Sequence, residues 1–337
     1  MSHKGVQLSA VELNASISPE LHLAHRLADA ADAISLGRYL ALDLVVETKP
    51  DATPVTDADR AVEKSIRSIL EKEAPNDLII GEEFGGKDLL ETAGTGTKFW
   101  IIDPIDGTKN FLRGVPTWAT LIAHGRIAAN GSKIIERGVV SAPALGRRWW
   151  AESGAGAYVT ESFAPASPLL ASPLLASPLL ASPLPASLQD GSDSSDQSRT
   201  VTRKIAVSKV GSLKDASLSY SDLIGWDQRK SAFATLLDEV WRTRALGDFL
   251  SHMLVAEGAV DIAVEPSLAL WDMAALAVIV EEAGGRFSSL HGVDGPFGDS
   301  GVTTNGLLHE DVIKWLNPES QLGLSTRTLN SESSERR

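Results

Sequence analysis

The sequence contains no cysteine. That excludes disulfides, thiolate nucleophiles and cysteine-held zinc or iron–sulfur centres, and it suits a reducing cytoplasm. Positive charge is also short, with 31 Lys and Arg against 44 Asp and Glu and a net charge of −13. Broad nucleic-acid binding needs clustered cations facing the phosphate backbone, so no such partner is expected. The acidic surplus reads chiefly as solubility, with a minority of carboxylates left to bind cations. No long apolar core follows the first basic residue of MSHKGVQLSAVELNAS, so a secretory leader is not expected. The uncharged stretch Phe163–Gln189 is no membrane span either. Proline recurs in it every five residues and forbids a continuous helix. A soluble, cytoplasmic chain without membrane contact is expected.

The remainder has ordinary globular proportions, 43% hydrophobic and 22% charged, and its 337 residues allow about two compact units. Leu21, Ala24, Leu27, Ala28 and Ala31 recur at helical spacing in a segment running from about Pro19 to Leu44. VETKPDATPVTDAD is rich in turn formers and reads as a loop. Thr56 then caps a helix, with Asp59 completing a capping box and Val62, Ile66, Ile69 and Leu70 forming the apolar face. Short strands are expected at Leu78–Ile80, Phe99–Ile102, Trp118–Ala123, Gly138–Ala142 and Arg148–Ala151, then at Ile205–Val207 and Val260–Val264. Helices are expected over Arg229–Leu237, Gly247–Glu257 and Trp271–Ala283, the last stopped by Gly284-Gly285. Between about Ser162 and Arg199, ASPLL repeats three times before a Ser/Asp-rich tract. Five residues are too few for a solenoid unit, so this is expected to be a flexible insertion between two strands.

The chemistry gathers where apolar strands end in acids. Gly81-Glu82-Glu83 follows the first of two early strands, and Asp103-Pro104-Ile105-Asp106-Gly107-Thr108 follows the second. Hard divalent cations prefer carboxylate and carbonyl oxygens. Asp103 and Asp106, three apart across a proline-stiffened turn, can converge on a cation together with the Ile105 carbonyl. Each piece alone is also a common turn or solvated loop. Three element ends each delivering an acid, with Asp272 opening a later helix, are less easily read that way.

IIGEE (Ile79–Glu83), WIIDPIDGTKNF (Trp100–Phe111), LWDMAALAVIVEEAGGRF (Leu270–Phe287) and PVTDADRAVE (Pro54–Glu63) together resemble the signatures of the inositol monophosphatase superfamily. The resemblance covers residues 18–160 and 200–316. It implies an α+β fold, a layered αβαβα sandwich of the inositol monophosphatase and fructose-1,6-bisphosphatase type, and a phosphate monoester hydrolase using Mg2+. Glu82, Asp103, the Ile105 carbonyl, Asp106 and Asp272 then resemble the metal ligands, with Asp103 bridging and Glu83 close by. Lys49 resembles a loop lysine near the metals. Asp57 resembles the aspartate that pairs with Thr108 to orient a metal-activated water, and the amides of Gly107 and Thr108 would hold the phosphate. Family members are commonly dimers, so a homodimer is expected.

The resemblance also suggests two units, 18–200 carrying most metal ligands and 201–316 carrying Asp272 and the substrate-recognition residues, followed by a flexible tail over 317–337. The stretch RALGDFLSHMLVAEGAVDIAVEPSLALWDMAAL (Arg244–Leu276) resembles the histidinol-phosphate phosphatase branch. Its substrate carries an ammonium group, for which Asp248 and Glu265 are the candidate partners. Asp248 could instead be a helix N-cap. The alternatives are an inositol-1-phosphatase, a broad sugar or nucleotide phosphatase, and a non-catalytic protein that binds phosphometabolites.

Overall fold

The computed structural model describes residues 17–50, 53–163 and 199–318. The expected flexibility of the repeat insertion and of the tail beyond 318 lies outside them. Helix α1 (Pro19–Arg38) is followed by strands β1 (Val46–Thr48) and β2 (Pro54–Thr56), then helix α2 (Asp57–Glu73). Strand β3 (Leu78–Gly81), helix α3 (Lys87–Thr92), strand β4 (Lys98–Asp106) and helix α4 (Thr108–Leu112) come next. Strands β5 (Ala119–Ile127), β6 (Lys133–Ala142), β7 (Arg147–Glu152), β8 (Gly156–Phe163) and β9 (Arg199–Ile205) complete a seven-stranded sheet in the order β3-β4-β5-β6-β7-β8-β9. Its β3–β4 pair is parallel, and β4 through β9 pair antiparallel. Strands β8 and β9 pair as far as Phe163↔Arg199, so the repeat segment joins two neighbouring strands.

The second half contains β10 (Ser217–Ser219), α5 (Lys230–Glu239), β11 (Arg242–Arg244), α6 (Asp248–Ala256), β12 (Ile262–Glu265) and α7 (Leu270–Glu282). After these come β13 (Arg286–Ser288), β14 (Gly301–Thr304) and α8 (His309–Leu316). Its sheet has the order β11-β10-β12-β14-β13.

Alternation along β4 shows how the layers form. Trp100 and Ile102 face α1 and α2, packing with Leu21, Leu27, Val62 and Ile66, whereas Phe99 and Ile101 face α6 and α7, packing with Phe249, Met273 and Leu276. Helix α7 lies between the two sheets, which is why Met273 through Val280 are buried without an interrupting polar face. On the far side of the five-stranded sheet, Phe233, Leu236, Val312 and Leu316 of α5 and α8 pack on Leu218, Ile262 and Val302. The result is the αβαβα layering expected.

Three local expectations change. The strand expected at Ile205–Val207 instead ends at Ile205, the last residue of β9. Helix α1 ends at Arg38 rather than near Leu44, because Tyr39 turns extended and packs its ring on Phe111 and Trp118, at 5.5 and 5.3 Å. The segment expected to be a plain loop contains the β1–β2 hairpin, with Val46 opposite Thr56.

Candidate active site

Asp103 and Asp106 sit at the end of β4, where Pro104 cannot donate to the ladder and the register with β5 slips. Asp272 lies in the first turn of α7, with its Oδ2 accepting from the Ala269 amide at 2.8 Å. One carboxylate oxygen from each of these three acids lies within 4.8 Å of the other two. Glu82 and Asp272 are both within hydrogen-bonding reach of Asp103.

The electrostatics are those of a cation site. Burial, then the charges of Glu82, Asp106 and Asp272, push Asp103 well above the usual carboxylate range. Burial, then Asp248 and Asp272, do the same to Asp106. Asp272 is pushed up to about 7, chiefly by burial. Glu82 is also raised by burial, against the pull of Lys49, whose Nζ lies 2.6 Å from both Glu82 and Glu83. Asp103 Oδ1 is buried without a hydrogen-bond donor among the described residues. Crowded, desolvated carboxylates with an unpartnered oxygen suit a hard divalent cation, which would relieve the repulsion.

The loop bearing Glu82 is held from below. Glu63 is fully buried, and its carboxylate accepts from the amides of Glu83 at 2.7 Å and Phe84 at 3.2 Å. Gly81 must be glycine, since an added Cβ would stand 1.9 Å from Glu63 Oε1. Gly107 is left-handed at φ +82°, and a Cβ there would meet the Thr117 carbonyl oxygen at 2.9 Å.

Asp57 does not pair with Thr108. Its carboxylate turns to Arg38 at 2.9 Å and to the Val45 amide at 3.2 Å. The Thr108 hydroxyl lies 3.3 Å from Asp59 Oδ1 and 3.0 Å from the Ile105 carbonyl oxygen. Asp59 is buried, and its Oδ2 accepts from the Thr56 amide at 2.9 Å. The capping box is therefore present, but its acid also faces Thr108. Burial pushes Asp59 up to about 6.

Asp248 is not a helix cap. Gly247 takes that position, and Asp248 follows with left-handed φ 48°. Its Oδ2 accepts from Asn110 Nδ2 at 2.9 Å, and the next amide, Phe249, donates to Asp106 Oδ2 at 2.7 Å. Glu265 is buried beneath Ser221, whose hydroxyl donates to it at 2.6 Å. Burial raises Glu265 to about 8. Glu82, Asp103, Asp106, Gly107, Thr108, Asp248 and Asp272 line one cleft of about 610 Å³, and Ile105, Asn110 and Ser221 also line it. Asp59, Asn110, Ser221 and Glu63 were not singled out by sequence reasoning. Thr56-x-x-Asp59 carried a readable signal but was assigned only to capping, and Ser221 had no signal at all.

A model of the inositol monophosphatase family matches residues 17–321. The chain belongs to this family. Two relatives named histidinol-phosphatase align over 300 residues each. The Streptomyces coelicolor protein is 47% identical, covering 88% of this chain and 97% of the relative. The Mycobacterium tuberculosis protein is 49% identical, covering 88% and 98%. Among solved structures, the Thermotoga maritima IMPase superposes with a TM-score of 0.67 at 26% identity, covering 90% of this chain and 99% of that one. As a member of the inositol monophosphatase family with these relatives, the chain is a phosphoric monoester hydrolase, and its cluster of acids answers the family's need for metal. No helix among the described residues is long and apolar enough to cross a membrane.

Proposed function

We propose that the enzyme is a Mg2+-dependent histidinol-phosphate phosphatase, converting L-histidinol phosphate and water to L-histidinol and phosphate. The observation that carries the substrate is the pair Asp248 and Glu265, joined through Ser221 beside the acid cluster. An inositol phosphate offers only hydroxyls there, whereas an ammonium group gains from a carboxylate that no metal neutralises. The two relatives of nearly half identity carry the histidinol-phosphatase name, which supports the same choice over an inositol phosphatase or a non-catalytic binder.

Glu82, Asp103, Asp106, Asp272 and the Ile105 carbonyl would hold the metal. Bound there, Mg2+ supplies acidification of water and neutralisation of phosphoryl charge. Thr108, held by Asp59, orients the attacking water, and Asp59 takes up its proton through the Thr108 hydroxyl. The amides of Gly107 and Thr108 hold the phosphate, and Lys49 keeps Glu82 and Glu83 in place. Asp248 lines the cleft and faces the amine of the leaving alcohol, with Glu265 buried behind it beneath Ser221.

The same reading makes the enzyme cytoplasmic, in keeping with its lack of cysteine, and homodimeric, as the family resemblance implies. It takes residues 18–200 as the unit bringing most acids and 201–316 as the unit bringing Asp248, Glu265 and Asp272. Side-by-side kinetics on histidinol phosphate and inositol 1-phosphate test the substrate. Histidinol phosphate should have the higher kcat/KM, and a preference for inositol 1-phosphate would overturn the assignment.

A further inference from the structure

Ser221 stands just past β10, and Glu265 ends β12. These strands run parallel with Ser219 opposite Ala263, so the same register continued two residues sets Ser221 against Glu265. The Ser221 hydroxyl donates to Glu265 Oε1 at 2.6 Å, and its oxygen accepts from the Asp248 amide at 2.9 Å. A hydroxyl has one proton. With that proton given to Glu265, its oxygen is free to receive the Asp248 N–H, and both bonds are satisfied at once.

Asp248 needs such a hold. A left-handed backbone is costly for a residue with a Cβ, and Asp248 adopts it at φ 48° without capping its own helix. Its carboxylate is desolvated beside the acid cluster, where Asp106 already feels its charge. Asn110 ties Oδ2, while among the described residues no donor is recorded for Oδ1. Strain and burial both weigh against this conformation, offset in part by the charge of Lys109, so the surroundings must enforce it.

We infer that Ser221 is a positioning residue that latches the Asp248 backbone and Glu265 into one amine-reading unit, and so sets the preference for phosphate esters of amino alcohols over those of uncharged alcohols. The inference rests on the proposed substrate reading and adds the element that makes the two acids act together. Ser221 itself need not touch the reacting atoms.

The test compares the full-length enzyme with Ser221→Ala and Ser221→Thr in saturating Mg2+, on histidinol phosphate, O-phosphoethanolamine and glycerol 2-phosphate. Loss of a hydrogen bond that orients a charged group should raise KM for the two amine-bearing esters about tenfold in Ser221→Ala. Its kcat on them and its KM for glycerol 2-phosphate should move far less, and Ser221→Thr, which keeps the hydroxyl, should restore selectivity. Equal losses on all three esters would mean a merely structural role and would overturn the latch. An unchanged ratio between amine-bearing and amine-free esters would also overturn it, leaving the substrate reading intact. A wild type showing no preference for the amine would overturn both.

Discussion

The carboxylate of Glu63 reaches across 20 positions of chain to accept the amide of Glu83 at 2.7 Å. The turn that aims Glu82 at the acid cluster is thus fastened to the middle of α2, with Arg67 closing the other side at 2.8 Å. A ligand fastened in this way loses less freedom when a cation binds.

Glu63→Gln keeps the shape but gives up one acceptor oxygen. The Mg2+ concentration giving half-maximal rate should rise about tenfold or more, with kcat largely recovered at saturating metal. A magnesium titration of phosphate release checks this. A lower Tm with unchanged metal requirement would show that Glu63 only supports the fold.

Asp59 and Asp57 make a direct comparison. Asp59→Asn should lower kcat by about a hundredfold or more, as expected for loss of a positioned base. Asp57→Asn loses only a half-exposed ion pair to Arg38 and should stay within about twofold of wild type. Initial rates of the two purified variants on histidinol phosphate decide which aspartate serves Thr108.

Asp103 is buried and Asp106 half-buried among the like charges of Glu82 and Asp272, so stability should depend on the metal. Chelation should lower the wild-type Tm, and Mg2+ should raise it. Asp103→Asn removes one of the crowded charges. In chelator it should melt above wild type, yet gain little from Mg2+ and show no turnover. Scanning fluorimetry with and without metal reads both effects, and a variant that Mg2+ stabilises as strongly as wild type would remove Asp103 from the ligand set.

The buried histidines should each cost stability in mild acid. Burial pushes His124, His252 and His309 down to about 4, with Arg137 and Arg286 adding to the effect at the first and last. In the unfolded chain each takes up a proton near the ordinary 6.5, so between 6.5 and 4 the unfolded state binds more protons. Their contribution is therefore complete above about 6.5 and is lost as pH drops toward 4. Glu265 and Asp59, raised to about 8 and about 6, act in the opposite sense, so the readout is a difference. With Mg2+ saturating, the Tm of wild type relative to His124→Gln should fall from pH 7 to pH 5. A difference that stays constant with pH would contradict the burial of the His124 ring.

Several elements were readable because they depend on local pattern, while the layering came with the family resemblance. The capping box at Thr56 and Asp59, the apolar face through Val62 and Ile66, and the acids ending β3 and β4 all follow from near neighbours. The end of α1 was not readable. It depends on Tyr39 meeting Phe111 and Trp118 more than 70 residues away. The β1–β2 hairpin was hidden for a similar reason, since its turn-rich composition suits a loop equally well.

From sequence alone came the family resemblance, the α+β layering it implied and the acids expected to surround a metal, because motifs are written in residues close together. Tertiary structure alone decided that Asp59 rather than Asp57 faces Thr108. Two residues apart at a helix start point roughly 200° away from each other, and only the docking of β4 against α2 selects one of them. It also joined Ser221 to Glu265 and Asp248, through strand order and register that no local pattern specifies.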